Sequence, residues 1–205
     1  MAAEARPRIV LASGSSSRRT LLAAAGVVFE TRPAEVDEEA IRQALRVNVP
    51  DSTPAQVADV LARAKAEAVS GVLPEDLIIG ADQILALDGA IFSKPADMDA
   101  ARRTLIALSG RTHQLHSAVV LAQGSKTVWS FTDTAHLTMR ALTSAQIGRY
   151  LAEAGSRVLS SVGAYQLESL GIQLFERIEG DYFTILGMPM LPLLAALRDR
   201  RAIEA

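Results

Sequence analysis

Leu77-Ile78-Ile79-Gly80-Ala81-Asp82-Gln83-Ile84-Leu85-Ala86-Leu87, closed by Asp88-Gly89, is the stretch that decides the fold class. An apolar run of this length reads as a long strand, and Asp-Gly directly after it is a strong hairpin signal. Upstream, Val57, Val60, Leu61, Ala64 and Ala68 recur at helical spacing within residues 54–70. Earlier still, residues 9–12 form a short apolar strand, 18–25 a helix closed by Gly26, and 27–30 a second strand candidate. Downstream, Asp97 can cap a helix running to Ser109, with Gly110 as its terminator. The β-rich stretches 115–122 and 127–139 are split by Gln123-Gly124-Ser125-Lys126, which predicts a second hairpin. Thr143 and Gln146 form a capping box for a helix ending at Gly155. An apolar helix over about residues 189–200 closes the chain, with Pro192 tolerated in its first turn. Strands and helices alternate without repeat, low-complexity tract or linker, the pattern of an α/β protein.

A chain of 205 residues fits one large domain, or two lobes sharing one core. Roughly 70% of the unfolded surface can be buried at this size, so no covalent staple is needed. Cysteine is absent, which excludes disulfides, thiolate catalysis and Cys-ligated metal. No apolar run approaches the ~20 residues that span a bilayer, so no membrane role is expected. Met1-Ala2-Ala3-Glu4-Ala5-Arg6-Pro7 lacks the apolar core of a signal peptide, and cytoplasm is the expected location. A formal net charge of −2 gives no general attraction to nucleic acid, so any phosphate must be bound locally.

Four constellations could carry chemistry. Asp82 sits mid-strand among apolar residues, where a carboxylate costs several kcal/mol unless paired, hydrogen-bonded or metal-bound. It is a candidate base or metal ligand; the plainer alternatives are a strand-edge aspartate, or one capping a neighbouring loop. Ser13-Gly14-Ser15-Ser16-Ser17-Arg18-Arg19 joins a strand to a helix start, where free N–H groups and the helix dipole favour an anion. Two arginines in that first turn oppose the dipole, and a bound triphosphate would reverse the sign. A capping serine followed by solvated arginines explains the pattern equally well. No Gly-Lys-Ser/Thr follows, so this is not a P-loop. Lys65, at the margin of a helix's apolar face, and Lys94, before Pro95, each read alone as snorkelling lysines. With Arg18 they could neutralise phosphates near Asp82. Finally, Gln166 or Glu168 in the glycine-containing stretch 162–171 could read a base edge, although a loop joining two elements, with its acids on a solvated face, explains the stretch better. His113, His116 and His136 have no metal-ligand spacing and read as strand residues.

Taken in order, Leu11-Ala12-Ser13-Gly14-Ser15 with Arg18-Arg19, Leu61-Ala62 with Lys65-Ala66, Gly80-Ala81-Asp82-Gln83 and Ser93-Lys94-Pro95 resemble the Maf family of septum formation inhibitor-like proteins. Leu108-Ser109-Gly110-Arg111-Thr112-His113, Gly163-Ala164-Tyr165, Glu176-Arg177-Ile178-Glu179-Gly180-Asp181-Tyr182 and Gly187-Met188-Pro189 extend the resemblance over about residues 9–197. It implies a nucleoside triphosphate pyrophosphatase that cleaves between the α- and β-phosphates with a divalent cation, Mg²⁺ or Mn²⁺. It also implies a single domain over 1–205, with two lobes around a central cleft. The implied fold is an elongated mixed β-sheet flanked by helices, related to the inosine-triphosphatase fold, and the implied partner is a second copy in a homodimer.

By the family motif Asp82 falls on the catalytic base, and Ser13, Ser15, Arg18, Lys65 and Lys94 on the substrate-contacting positions. Glu38, in Val36-Asp37-Glu38-Glu39, falls near an acidic position tied to activity and is expected to share the metal with Asp82. Three positions separate the family's branches: Arg, Thr and Gln where dTTP and UTP are taken, Trp, Gln and Glu where 7-methyl-GTP is taken. This chain carries Ser17, Gln83 and Glu168, so two of the three resemble the 7-methyl-GTP branch. Ser17 stands where an aromatic would stack on a cationic base. Two other readings compete with an enzyme: a nucleotide-sensing cell-division regulator without turnover, and a nucleic-acid module. Retention of Asp82 beside two lysines argues against the first. Aromatics at 4% and no net positive charge argue against the second.

Overall fold

The computed structural model describes residues 6–204, so residues 1–5, which carry most of the segment read above for the absence of a leader, lie outside it. Among the described residues seven strands form one sheet: β1 (Ile9–Leu11), β2 (Glu30–Thr31), β3 (Leu77–Leu87), β4 (Ala90–Phe92), β5 (Thr112–Gln123), β6 (Lys126–Met139) and β7 (Phe175–Glu179). The helices are α1 (Ser16–Ala24), α2 (Glu38–Asn48), α3 (Pro54–Val72), α4 (Met98–Leu108), α5 (Ser144–Ala154), α6 (Tyr182–Ile185) and α7 (Met190–Asp199). The strand order is β2-β1-β3-β5-β6-β7, with β4 paired to β3. β1 runs parallel to β2 and β3, whereas β4 on β3 and β7 on β6 are antiparallel, so the sheet is mixed as expected. Among the described residues no helix is long and apolar enough to cross a membrane.

The chain divides into two compact units. The first takes Met1–Gln83, Ser117–Asp133 and Tyr182–Ala205, and the second Ile84–His116 and Thr134–Asp181. The first unit is built around an apolar cluster in which Leu11 of β1, Ile79 and Ala81 of β3, and Val119 and Leu121 of β5 meet Leu193 and Leu197 of α7. On the other face of β3 lies α3, brought close by Gly80. A Cβ built there would come 2.3 Å from the Ala62 carbonyl oxygen and 2.7 Å from Ala66 Cβ. Only glycine permits that approach, and the approach is what sets the next turn of α3 over Asp82.

Local chemistry explains the boundaries. Asp88 and Gly89 take φ of 50° and 82°, the left-handed pair a two-residue hairpin needs. Thr53 and Thr143 each close a reciprocal capping box with a glutamine three residues on. Two expectations are corrected and one helix is added. The strand expected over 27–30 is reduced to Glu30–Thr31, because Val27 N–H is taken by Leu22 O in the turn that closes α1. The helix α2 was not expected; Asp37 caps it by accepting from the Ala40 N–H at 2.9 Å. The stretch after α5 is more than a loop: it holds 3-10 turns at Gly155–Ser160 and Leu170–Leu174 and leads into β7.

In the second unit, His113 is fully buried between Tyr165 and Phe175, with Nε2 at 2.7 Å from the Tyr165 hydroxyl. Its Nδ1 has no hydrogen-bond partner among the described residues, and burial pulls the ring's pKa down to about 4. The unfolded chain takes up this proton near pH 6.5, so the unfolded state binds more protons as pH falls from there towards 4. Stability from this group is therefore complete above pH 6.5 and is lost over that window. Between pH 7 and pH 5 the wild type should lose about 2 kcal/mol more than His113→Gln, read from denaturant midpoints. Equal losses would exclude this site as the source of acid sensitivity.

Candidate functional site

The first unit assembles most of the expected site residues at the end of β1. Ser15 caps α1, and its Oγ accepts from Arg18 N–H at 3.5 Å. Ser13 Oγ accepts from Ser15 N–H at 3.3 Å and from Arg18 Nη1 at 3.2 Å. β1 stops opposite Ile79, so β3 runs on past it and leaves the Ala81 carbonyl to Arg18 Nη1 at 2.9 Å. Arg18 Nε donates to Gly187 O at 2.9 Å. The guanidinium is thus clamped by three groups of its own chain. Burial pulls its pKa down, and the charges of Asp82 and Glu38 oppose that, so a fixed cation stands within their field.

Asp82 is 5% exposed and lies on the α3 face of β3. Its Oδ1 accepts from Lys65 Nζ at 2.5 Å, and Lys65 Nζ also reaches Glu38 Oε1 at 2.8 Å. Two carboxylates therefore share one ammonium. Asp82 Oδ2 is buried without a hydrogen-bond partner among the described residues. A buried carboxylate oxygen left open in this way is suited to accept a proton or to bind a cation. Glu38 opens α2 and is held from its far side by Arg42, whose Nη2 lies 3.2 Å from Glu38 Oε2 at i+4. Sequence reasoning missed Arg42, although Asp37 followed by Glu38 and Glu39 is a helix-start signal that would have found it.

Strand alternation puts Gln83 on the face opposite Asp82. Its Nε2 lies 3.0 Å from Ser117 Oγ, 3.1 Å from Thr184 O and 2.9 Å from Ile185 O. Ser17 is in the first turn of α1. Lys94 and Glu168 belong to the second unit, where both are exposed. There Lys94 lines a pocket of about 440 Å³ with Phe92, Arg103 and Thr104.

Among the described residues no group of three or more His, Cys, Asp or Glu is placed to hold a metal ion. Asp82 and Glu38 still fit a hard divalent cation, because Mg²⁺ commonly takes one or two carboxylates and completes its shell with water and substrate phosphate. The open Asp82 Oδ2 is the observation that supports the fit.

The chain is 54% identical over 199 residues to a protein of Mesorhizobium japonicum named 7-methyl-GTP pyrophosphatase, covering 96% of this chain and 98% of that one. A Brucella abortus protein of the same name is 53% identical over 197 residues, with the same two shares covered. A Rhodopseudomonas palustris protein named nucleoside triphosphate pyrophosphatase is 50% identical over 195 residues, 95% of each chain. The family model described as Maf-like protein matches residues 8–200, and this chain belongs to the Maf family.

Proposed function

We propose that this protein hydrolyses nucleoside triphosphates to the monophosphate and pyrophosphate. The observation that carries the reading is Asp82, buried with one oxygen on Lys65 and the other open, in the same unit as a clamped arginine and a serine-lined helix start. The names of the relatives support the same reaction class. Phosphoryl transfer asks mainly for positioning and charge neutralisation. Ser13, Ser15 and Arg18 hold the triphosphate, and Lys65 offsets charge that grows on its oxygens; for Lys94 a substrate contact rests on the family motif alone. Asp82 takes a proton from the attacking water, whose oxygen bonds to the α-phosphorus. The bond from that phosphorus to the α–β bridging oxygen breaks, and pyrophosphate leaves with the electron pair. Mg²⁺ or Mn²⁺ held by Asp82 and Glu38 would supply charge neutralisation on the phosphates and greater acidity of a bound water.

Gln83 and Glu168, with the names of two relatives, support a guanine-type base, with 7-methyl-GTP as the favoured candidate. Ser17 makes the preference shallow, since base–aromatic stacking is worth about 1–3 kcal/mol. A homodimer and cytoplasmic location rest on the family resemblance and composition. The reaction is tested by incubating canonical and methylated nucleotides with Mg²⁺ or Mn²⁺ and assaying both phosphate and pyrophosphate. Pyrophosphate and monophosphate should appear together. A diphosphate as first product on every active nucleotide would overturn the assignment.

A further inference from the structure

The ammonium of Lys65 stands where the two carboxylates expected to share a cation converge. Its Nζ lies 2.5 Å from Asp82 Oδ1 and 2.8 Å from Glu38 Oε1, so one oxygen of each carboxylate already meets a positive charge. The other oxygen of Glu38 lies 3.2 Å from Nη2 of Arg42, whose side chain is 19% exposed. Arg18, clamped by Ser13, Ala81 and Gly187, adds a third cation in the field of both carboxylates. Glu39 reaches Arg42 only at 3.9 Å, is exposed, and faces Arg46 at 3.5 Å, so it leaves the balance unchanged.

Over Arg18, Arg42, Lys65, Asp82 and Glu38 the charge is net positive. A hydrated divalent cation gains little from such a set, because each carboxylate it would neutralise already has a cation in contact. Asp82 Oδ2 is open among the described residues, but a single oxygen, on a carboxylate that holds an ammonium, is a poor site for a hard cation that takes several. A triphosphate meets the opposite situation, since the excess positive charge attracts it. Lys65 is the cation best able to answer: it is a compact charge on a flexible four-carbon stem, whereas the Arg18 fork is held by three groups. When the ammonium turns to a phosphate, Asp82 Oδ1 and Glu38 Oε1 lose their shared counter-charge together, and the pair becomes suited to a cation.

We propose that Lys65 is a resident counter-ion that closes the Asp82–Glu38 pair to divalent cations until a triphosphate draws it away, so that nucleotide and cation bind interdependently. The proposal rests on the pyrophosphatase reading above. The test is Mn²⁺ binding followed by water-proton relaxation, which separates protein-bound from nucleotide-bound Mn²⁺ by its slower tumbling. Nucleotide-free Lys65→Met should bind Mn²⁺ at least about tenfold more tightly than nucleotide-free wild type, and only the variant should melt higher when Mn²⁺ is added. Asp82→Asn in the Lys65→Met background should abolish that gain. The uncleavable α,β-methylene-GTP should tighten Mn²⁺ binding to wild type by about tenfold or more, and to Lys65→Met by less. Equal affinity of the two nucleotide-free proteins overturns the proposal, as does a gain that persists with Asp82→Asn or an equal response to the analogue. If Lys65→Met folds only with Mn²⁺, the ion has taken the place of the ammonium, as proposed. If it folds in neither condition, Lys65→Gln, which keeps a donor for Asp82 without the charge, carries the same comparison. No pyrophosphate from any nucleotide with wild type would overturn the underlying reading, a result distinct from any outcome of the Mn²⁺ comparison.

Discussion

Asp82→Asn should lower kcat/KM for pyrophosphate release by about 10²–10⁴-fold, the usual contribution of a positioned general base. The expectation follows from Oδ2, the buried oxygen with no hydrogen-bond partner among the described residues. An amide nitrogen there cannot take a proton from water. The fold should survive, because the amide oxygen of the variant can still accept from Lys65, and Glu38 remains on that ammonium at 2.8 Å. Thermal melting within a few degrees of the wild type, together with the collapse in turnover, would separate chemistry from folding. Wild-type turnover in a normally folded Asp82→Asn protein removes Asp82 from the mechanism. Raised KM with kcat unchanged would recast it as a binding residue.

Lys65→Met should be the most destabilising of the site variants. Its ammonium, on a side chain 12% exposed, is the partner of an Asp82 side chain 7% exposed. Removing one member of a buried pair leaves the other uncompensated, at a cost of about 3–5 kcal/mol. Glu38 adds less, since its side chain is 39% exposed and Arg42 still holds it. The signature is non-additivity: Asp82→Asn introduced into Lys65→Met should restore most of the loss, because the buried carboxylate left without its ammonium is then gone. Urea midpoints of the four proteins in the cycle measure this. A loss below about 1 kcal/mol in the single variant would mean that water or Arg18 replaces the lysine.

Much of the fold was written locally. The capping box at Thr143, the Asp88-Gly89 turn and the run Leu77–Leu87 each depend on neighbours a few residues away, and each was legible, whereas the equally local box at Thr53 was not read. α2 was not read from the sequence, although Asp37 and the acids after it mark a helix start and Ile41, Ala44 and Leu45 recur at helical spacing. β7 was not legible. Glu176, Arg177 and Glu179 are exposed, so no alternation announces it, and only its pairing with β6, as in Leu137 with Ile178, makes it a strand.

The sequence by itself determined which residues are chemically unusual: a carboxylate within an apolar strand and arginines at a helix start. Burial and dipole arguments need no partner to flag these, since the cost exists wherever the chain goes. What only the tertiary structure decided is who answers each cost. Lys65 lies 17 residues from Asp82 in the chain and meets it because Gly80 lets α3 approach β3. Gln83 is adjacent to Asp82 in sequence yet faces away from it, since successive side chains of a strand point to opposite faces. Its amide is held by Ser117, 34 residues on, and by the carbonyls of Thr184 and Ile185, more than 100 residues on. Hydrogen bonds and ion pairs act over about 3 Å, so their partners are fixed by packing and not by spacing along the chain.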